Sequence, residues 1–204
     1  MRTKLAVLAT LFAAATIIPV APAEARVIVR EKTKYYKVSG KDGRSLYASI
    51  RKRGRRGTGA RHAIATTRSK MDLRNVRTAV RGNRCVVRSA DLVLDLTYSY
   101  PRWTNQKSAS PRTRKAWQRF MARVKRHEQT HGRIAKKYAR RIIREMKRQK
   151  GSVRKGCRDG SARSARRLSR LLVGLQKEQL RFDRREASRF SRIRRLERAL
   201  VKAR

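Results

Sequence analysis

The sequence predicts an α+β protein: a small antiparallel or mixed sheet packed on one long helix, with a second long helix at the C-terminal end. Three observations carry this. Residues 90–98 alternate apolar and polar, the period of a half-buried strand. From Thr113 the apolar spacing changes to three and four and keeps that period to about Gln149. Strand-like segments come first and helical ones last, without the alternation that parallel βαβ units need.

Taken in order, residues 27–38 are rich in Val, Ile and Tyr and read as a strand. Ser39 to Gly43 is a turn, and Leu46, Tyr47 and Ile50 give a short helix over 44–53. Arg51 to Gly59 is a basic, Gly-rich loop. Residues 60–73, with Ile64, Thr66 and Thr67, read as a further strand, and Gly82-Asn83 marks a turn. In the clearest strand, Ala90, Leu92, Leu94, Leu96 and Tyr98 alternate with Asp91, Asp95, Thr97 and Ser99, Val93 being the exception. Tyr100-Pro101 is expected to end it. The long helix carries its stripe on Trp117, Met121, Val124, Ala135, Tyr138, Ile142 and Met146. Gly151 to Gly160 interrupts. The last helix, from about Ser161 to the end, has the stripe Leu168, Leu172, Leu175, Phe182, Phe190, Ile193, Leu196 and Leu200. Its Arg-rich end beyond about Ser191 is expected to fray in isolation.

The first 25 residues read as an export signal. Arg2 and Lys4 precede an apolar run from Leu5 to Val20, and Ala23-Glu24-Ala25 has the small-x-small form of a cleavage site. Cleavage after Ala25 would deliver the rest to the periplasm or beyond. No later stretch is apolar enough to span a bilayer.

Charge dominates the composition: 58 Lys and Arg against 13 Asp and Glu, a net +45. Such a chain attracts nucleic acid, anionic lipid, lipopolysaccharide and acidic polysaccharide alike, so charge alone identifies no partner. No motif for sequence-specific nucleic-acid recognition is present. The two cysteines, Cys85 and Cys157, read as one disulfide in an oxidising compartment, contributing on the order of 4 kcal/mol.

Two of the three histidines sit in Arg-His-Glu-Gln-Thr-His-Gly-Arg, residues 126–133. On a helix His127 and His131 lie one turn apart and about 40° round the axis, so both imidazoles reach one metal ion. Zinc takes imidazole nitrogen readily, and Glu128 stands where the motif places its proton carrier. The stripe Val124, Ala135, Tyr138 passes through Glu128 and His131, which therefore face inward. A third ligand is open. The metzincin continuation is ruled out, since Ile134 and Lys137 occupy its glycine and histidine positions. Glu145 is too far along the same helix. On the last helix Glu186 lies in the apolar stripe and Asp183 flanks it; either would serve as a ligand, although a salt bridge to an arginine is the commoner explanation of Glu186. His62, in a Gly/Arg-rich segment, reads as solvated.

These residues resemble a bacterial domain-of-unknown-function family labelled predicted secreted zinc-dependent proteases. The likeness covers most of the chain after the signal. It runs through Tyr35-Tyr36-x-Val38-x-Gly40, the Gly54 to Arg61 turn and Cys85. It continues through Pro101-x-Trp103, Trp117-x-x-Phe120, the histidine motif and Cys157. The resemblance implies a zincin-like α+β domain over 26–190 with a basic helical tail at 191–204, one disulfide, bound zinc and peptidase activity. It also implies substrate held as an added strand on a sheet edge, with the 90–98 strand bordering the cleft. One segment departs: the family's Tyr-Asp-x-x-Thr-x-His-Gly resembles Phe182 to Arg189 here, keeping Asp183 but replacing the Thr by Glu186 and the His-Gly by Ser188-Arg189. The third ligand has moved to Glu186 or Asp183, or it has gone. The expectation is thus an exported zinc-dependent peptidase acting on peptide or protein. The alternative is a catalytically decayed, polycationic relative that binds acidic envelope polymers or nucleic acid, and a purely structural envelope protein is the third reading.

Overall fold

A computed structural model describes residues 24–57, 60–152, 158–188 and 191–204, with side chains described outside 55–62 and 152–161. Most of the expected signal, Cys157 and Phe190 lie outside the described residues. The order is β1 (Arg26–Val38), α1 (Gly43–Arg53), β2 (Arg55–Gly57), β3 (Ala60–Ala63), β4 (Thr66–Arg81) and β5 (Arg84–Trp103). Then follow α2 (Pro111–Lys147), β6 (Lys150–Ser152), α3 (Arg158–Ala187) and α4 (Arg192–Val201). The architecture is α+β, with an open mixed sheet on one side and helices on the other.

The sheet has the order β1-β5-β4, with β6 pairing the start of β5 and β2-β3 forming a separate pair. β1 runs parallel to β5, and β4 antiparallel. β5 is therefore flanked on both sides. This corrects the expectation that the 90–98 strand borders a cleft: its backbone is already paired, and the free edges belong to β1 and β4. β5 is also longer than its alternating core. It passes through Pro101, opposite Tyr36 of β1, because β4 stops pairing at Ser99. Beyond that point β5 is an edge on one side, where the missing N–H of a proline is tolerated.

Leu92, Leu94, Leu96, Tyr98 and Tyr100 of β5 are buried in one core with Phe120, Val124, Ala135, Ile142 and Met146 of α2. Each fully buried Leu or Phe contributes roughly 1.5–3 kcal/mol. All seven stripe residues expected on α2 are buried. α2 starts cleanly: Ser110 caps it by accepting from the Thr113 N–H at 3.2 Å, and Pro111 occupies the first turn. α1 starts on a capping box between Asp42 and Ser45.

The last helix is two helices. α3 ends at Ala187, and Ser191 begins α4 by accepting from the Arg194 N–H. The Ser191 N–H donates to the Ser188 carbonyl, and the Ser191 side chain caps the new helix, which favours this break. The turn folds the Arg-rich end back onto the molecule, so residues expected to fray are held. Leu200 is fully buried and the Gly43 N–H donates to the Ala203 carbonyl at 2.9 Å. Along α3 the stripe is shifted: Leu168 and Leu171 pack on the core, while Leu172 is exposed.

Candidate metal centre

α2 and α3 run antiparallel, and one polar row from each meets the other. On α2 the row is Arg123, His127, His131, spaced by four; on α3 it is Gln179, Asp183, Glu186, spaced by four and three. The contacts pair them in reverse order: Arg123 with Glu186, both histidines with Asp183, and His131 with Gln179. Beyond the His131–Gln179 end of this seam Lys137 pairs with Glu178 and Arg167 with Glu145, which continues the same antiparallel register.

The centre of the seam gathers three donor atoms. His131 Nε2 lies 3.2 Å from His127 Nε2 and 2.8 Å from Asp183 Oδ1, and His127 Nε2 lies 3.4 Å from the same oxygen. The three residues offer ligand atoms all within 4.8 Å of one another. Ligand nitrogens at zinc's usual bond length sit about 3.3 Å apart in a tetrahedral shell. Two of the three edges match that spacing. The 2.8 Å edge is shorter, at the length of a charge-assisted hydrogen bond.

Protonation strengthens the fit. Gln179 donates from Nε2 to the His131 carbonyl oxygen at 3.1 Å, so its Oε1 is the atom that meets His131 Nδ1. Nδ1 must then carry the proton, and a neutral His131 turns a lone pair at Nε2 toward Asp183 and His127. Lone pairs and a carboxylate facing one point need a positive centre there, a proton or a metal ion. Among the described residues the buried His127 Nδ1 has no hydrogen-bond partner, and a Glu186 carboxylate oxygen lies 3.7 Å away. Phe182 walls the site, its ring 4.8 Å from that of His127 and 5.0 Å from that of His131.

Of the two carboxylates left open by the sequence, Asp183 is brought to the two histidines. Glu186 is brought to Arg123, on the far side of the His127 ring. Burial pushes the Asp183 carboxyl up, but hydrogen bonds and charge from His127 and His131 outweigh it and hold it well below the usual carboxylate range. Burial pushes His131 down, and its bonds to Asp183 and Gln179 outweigh that and raise it.

Glu128 is only 5% exposed. Its Oε2 accepts from Thr67 Oγ1 at 2.7 Å, and the same hydroxyl lies 3.0 Å from the Glu128 carbonyl oxygen. Burial raises the Glu128 carboxyl, opposed by the Thr67 bond and the two histidines. A carboxylate made more basic in this way, beside the cluster of His127, His131 and Asp183, suits proton transfer. Gly132 lets the strand come close: a side chain there would meet the Tyr98 hydroxyl at 2.1 Å. Tyr98 in turn donates to Glu31 at 2.8 Å.

Sequence reasoning missed Thr67, Gln179 and Arg123. Gln179 had a readable signal, since it stands one turn before Asp183 on the same face. Thr67 had none, because only the fold brings β4 to α2. His62 lies in β3, with its side chain outside the described residues.

The family described as "Bacterial protein of unknown function (DUF922)" matches residues 33–190. The chain belongs to this family. The matched span holds the whole seam, from Arg123 to Glu186, together with Thr67 and both cysteines. No curated protein and no solved structure matches the chain.

Proposed function

We propose that this family member is an exported zinc-dependent peptidase in which His127, His131 and Asp183 hold the metal and Glu128 moves the proton. One observation carries the reading: the three donor atoms converge on one point while Glu128 lies buried beside them, its orientation fixed by Thr67. Zinc in this position would acidify a water and polarise the scissile carbonyl. Glu128 Oε2 is engaged by Thr67, which leaves the other oxygen to take a proton from the water and pass it to the leaving amine. Gln179 orients the His131 imidazole from behind. The free edge of β4, next to Thr67, offers backbone groups for an extended substrate. A signal ending at Ala25 and a Cys85–Cys157 disulfide complete the reading; Cys85 is buried beside β6.

The test is metal content. The mature chain, purified under oxidising conditions and dialysed against trace zinc, is analysed by elemental mass spectrometry. About one zinc per chain is expected, lost in His131→Ala and Asp183→Ala but kept in Glu128→Gln, which loses hydrolysis of a casein substrate. Zinc retained by Asp183→Ala and lost by Glu186→Ala would move the third ligand. No stoichiometric metal in the natural sequence would overturn the peptidase and leave the polycationic reading.

A further inference from the structure

The sheet has a second face, turned away from α2. Side chains alternate along strands, so the face opposite the core carries Arg30, Lys32 and Lys34 of β1, Asp95, Thr97 and Ser99 of β5, and Thr66, Arg68 and Lys70 of β4. The strand register sets them abreast in rows: Arg30, Asp95, Lys70; then Lys32, Thr97, Arg68; then Lys34, Ser99, Thr66. The rows line a trough of about 520 Å³. Cations dominate its two walls, the hydroxyls of Thr97 and Ser99 with the Asp95 carboxylate form its floor, and Glu31 and Leu96 also line it. None of the five cations makes an ion pair among the described residues, although carboxylates such as Asp72, Asp91 and Glu31 pair with other cations nearby.

Strand geometry gives the dimensions. The walls stand two strand spacings apart, about 10 Å, and each wall repeats every two residues, about 6.7 Å. An extended polypeptide repeats its own side chains at that same two-residue distance. Acidic residues at alternate positions would therefore stay in step with both walls, and the Thr97 and Ser99 hydroxyls would meet them from below. Other polyanions fit less well. Single-stranded nucleic acid binds on aromatic platforms, and among the described residues no aromatic side chain lines the trough. A bilayer surface is flat, and this face is concave.

We propose that the trough binds an extended acidic segment of a polypeptide, with Asp or Glu at alternate positions. Binding does not depend on the metal site. If the peptidase reading also holds, the trough is where substrate is first gripped, since Thr66 closes one end and the next residue, Thr67, faces the other way onto Glu128. A chain leaving the trough round the edge of β4 would arrive beside Glu128.

The experiment uses the mature chain with EDTA present, so that binding is read apart from any hydrolysis. A fluorescein-labelled peptide of alternating Glu and Ser is titrated by fluorescence anisotropy. An alternating Lys and Ser peptide and a labelled oligothymidylate serve as comparisons. Lys32→Glu with Arg68→Glu should weaken binding of the acidic peptide roughly ten-fold or more. Arg140→Glu with Arg144→Glu, on the exposed side of α2, should change it less than about three-fold for the same change in net charge. The neutral pair Lys32→Gln with Arg68→Gln repeats the test if charge reversal disturbs folding. Equal weakening by both pairs would reduce the effect to net charge and overturn the proposal. So would oligothymidylate binding as tightly with the same loss on the trough pair, which would make the ligand a phosphate chain.

Discussion

Gln179 grips His131 at both ends, its Oε1 accepting from ring Nδ1 and its Nε2 donating to the backbone carbonyl of the same residue. The ring is thereby held in one tautomer and one orientation. Gln179→Ala should weaken zinc binding about ten- to a hundred-fold, read by competition with a chromophoric chelator. Gln179→Glu keeps an acceptor at Nδ1 and should stay close to the natural protein. Equal losses in both variants would mean that Gln179 acts through packing alone.

Thr67 fixes the carboxylate of Glu128 from a different element. Thr67→Val removes the hydroxyl at little change in volume and leaves a buried oxygen unsatisfied, costing roughly 1–3 kcal/mol of stability. Zinc content should be unchanged while peptide hydrolysis falls. A variant with full activity and an unchanged melting temperature would show the hydrogen bond to be idle.

Gly132 admits the Tyr98 hydroxyl against α2. Gly132→Ala places a methyl carbon 2.1 Å from that oxygen, so the Tyr98 ring must shift from its place against α2. A loss of roughly 1–3 kcal/mol is expected from overpacking, measured by denaturant unfolding. Adding Tyr98→Phe removes the clashing atom and should restore part of it, although it also ends the bond to Glu31.

Leu200 is fully buried near the C-terminal end, where sequence alone expects fraying. Leu200→Ala should cost about 2–5 kcal/mol. Truncation before Ser191 should cost more, because it uncovers the faces of α1 and α2 that α4 packs on and removes the Tyr47–Glu197 bond of 2.6 Å. Hydrogen exchange in α4 as fast as in an unfolded peptide would contradict this.

Four of the six tyrosines, Tyr36, Tyr47, Tyr98 and Tyr100, have phenols pushed upward, burial being the first cause in each. A raised acid favours the folded state while it stays neutral. That contribution is complete below the ordinary phenol value of about 10 and is lost as pH rises above it. Melting temperature should therefore drop steeply on the alkaline side, and absorbance at the phenolate band should rise together with unfolding. Full phenolate absorbance in a still-folded protein would be the contrary result.

Much of the fold was legible. The alternation of Leu92, Leu94, Leu96 and Tyr98 and the stripe from Trp117 to Met146 are local periodicities, and each has one buried face whatever it packs on. Proline at 101 reads as a strand end in the sequence, whereas its tolerance within β5 depends on where the neighbouring strand β4 ends. The break at Ser188 to Ser191 was missed because the apolar stripe continues through it, and only tertiary packing rewards the turn.

The candidate site divides in the same way. His127, Glu128 and His131 were set by spacing on a single helix, which needs no knowledge of neighbours. Choosing between Asp183 and Glu186 required the register of two antiparallel helices, fixed by contacts as distant as Arg123–Glu186 and Arg167–Glu145. Thr67 required the path of β4 as well. The sequence by itself determined the alternating core of β5 and the long helix α2 with their buried faces, because helix and strand periods are written residue by residue. Only the tertiary structure decided which carboxylate meets the histidines, because that depends on how far one helix slides along another.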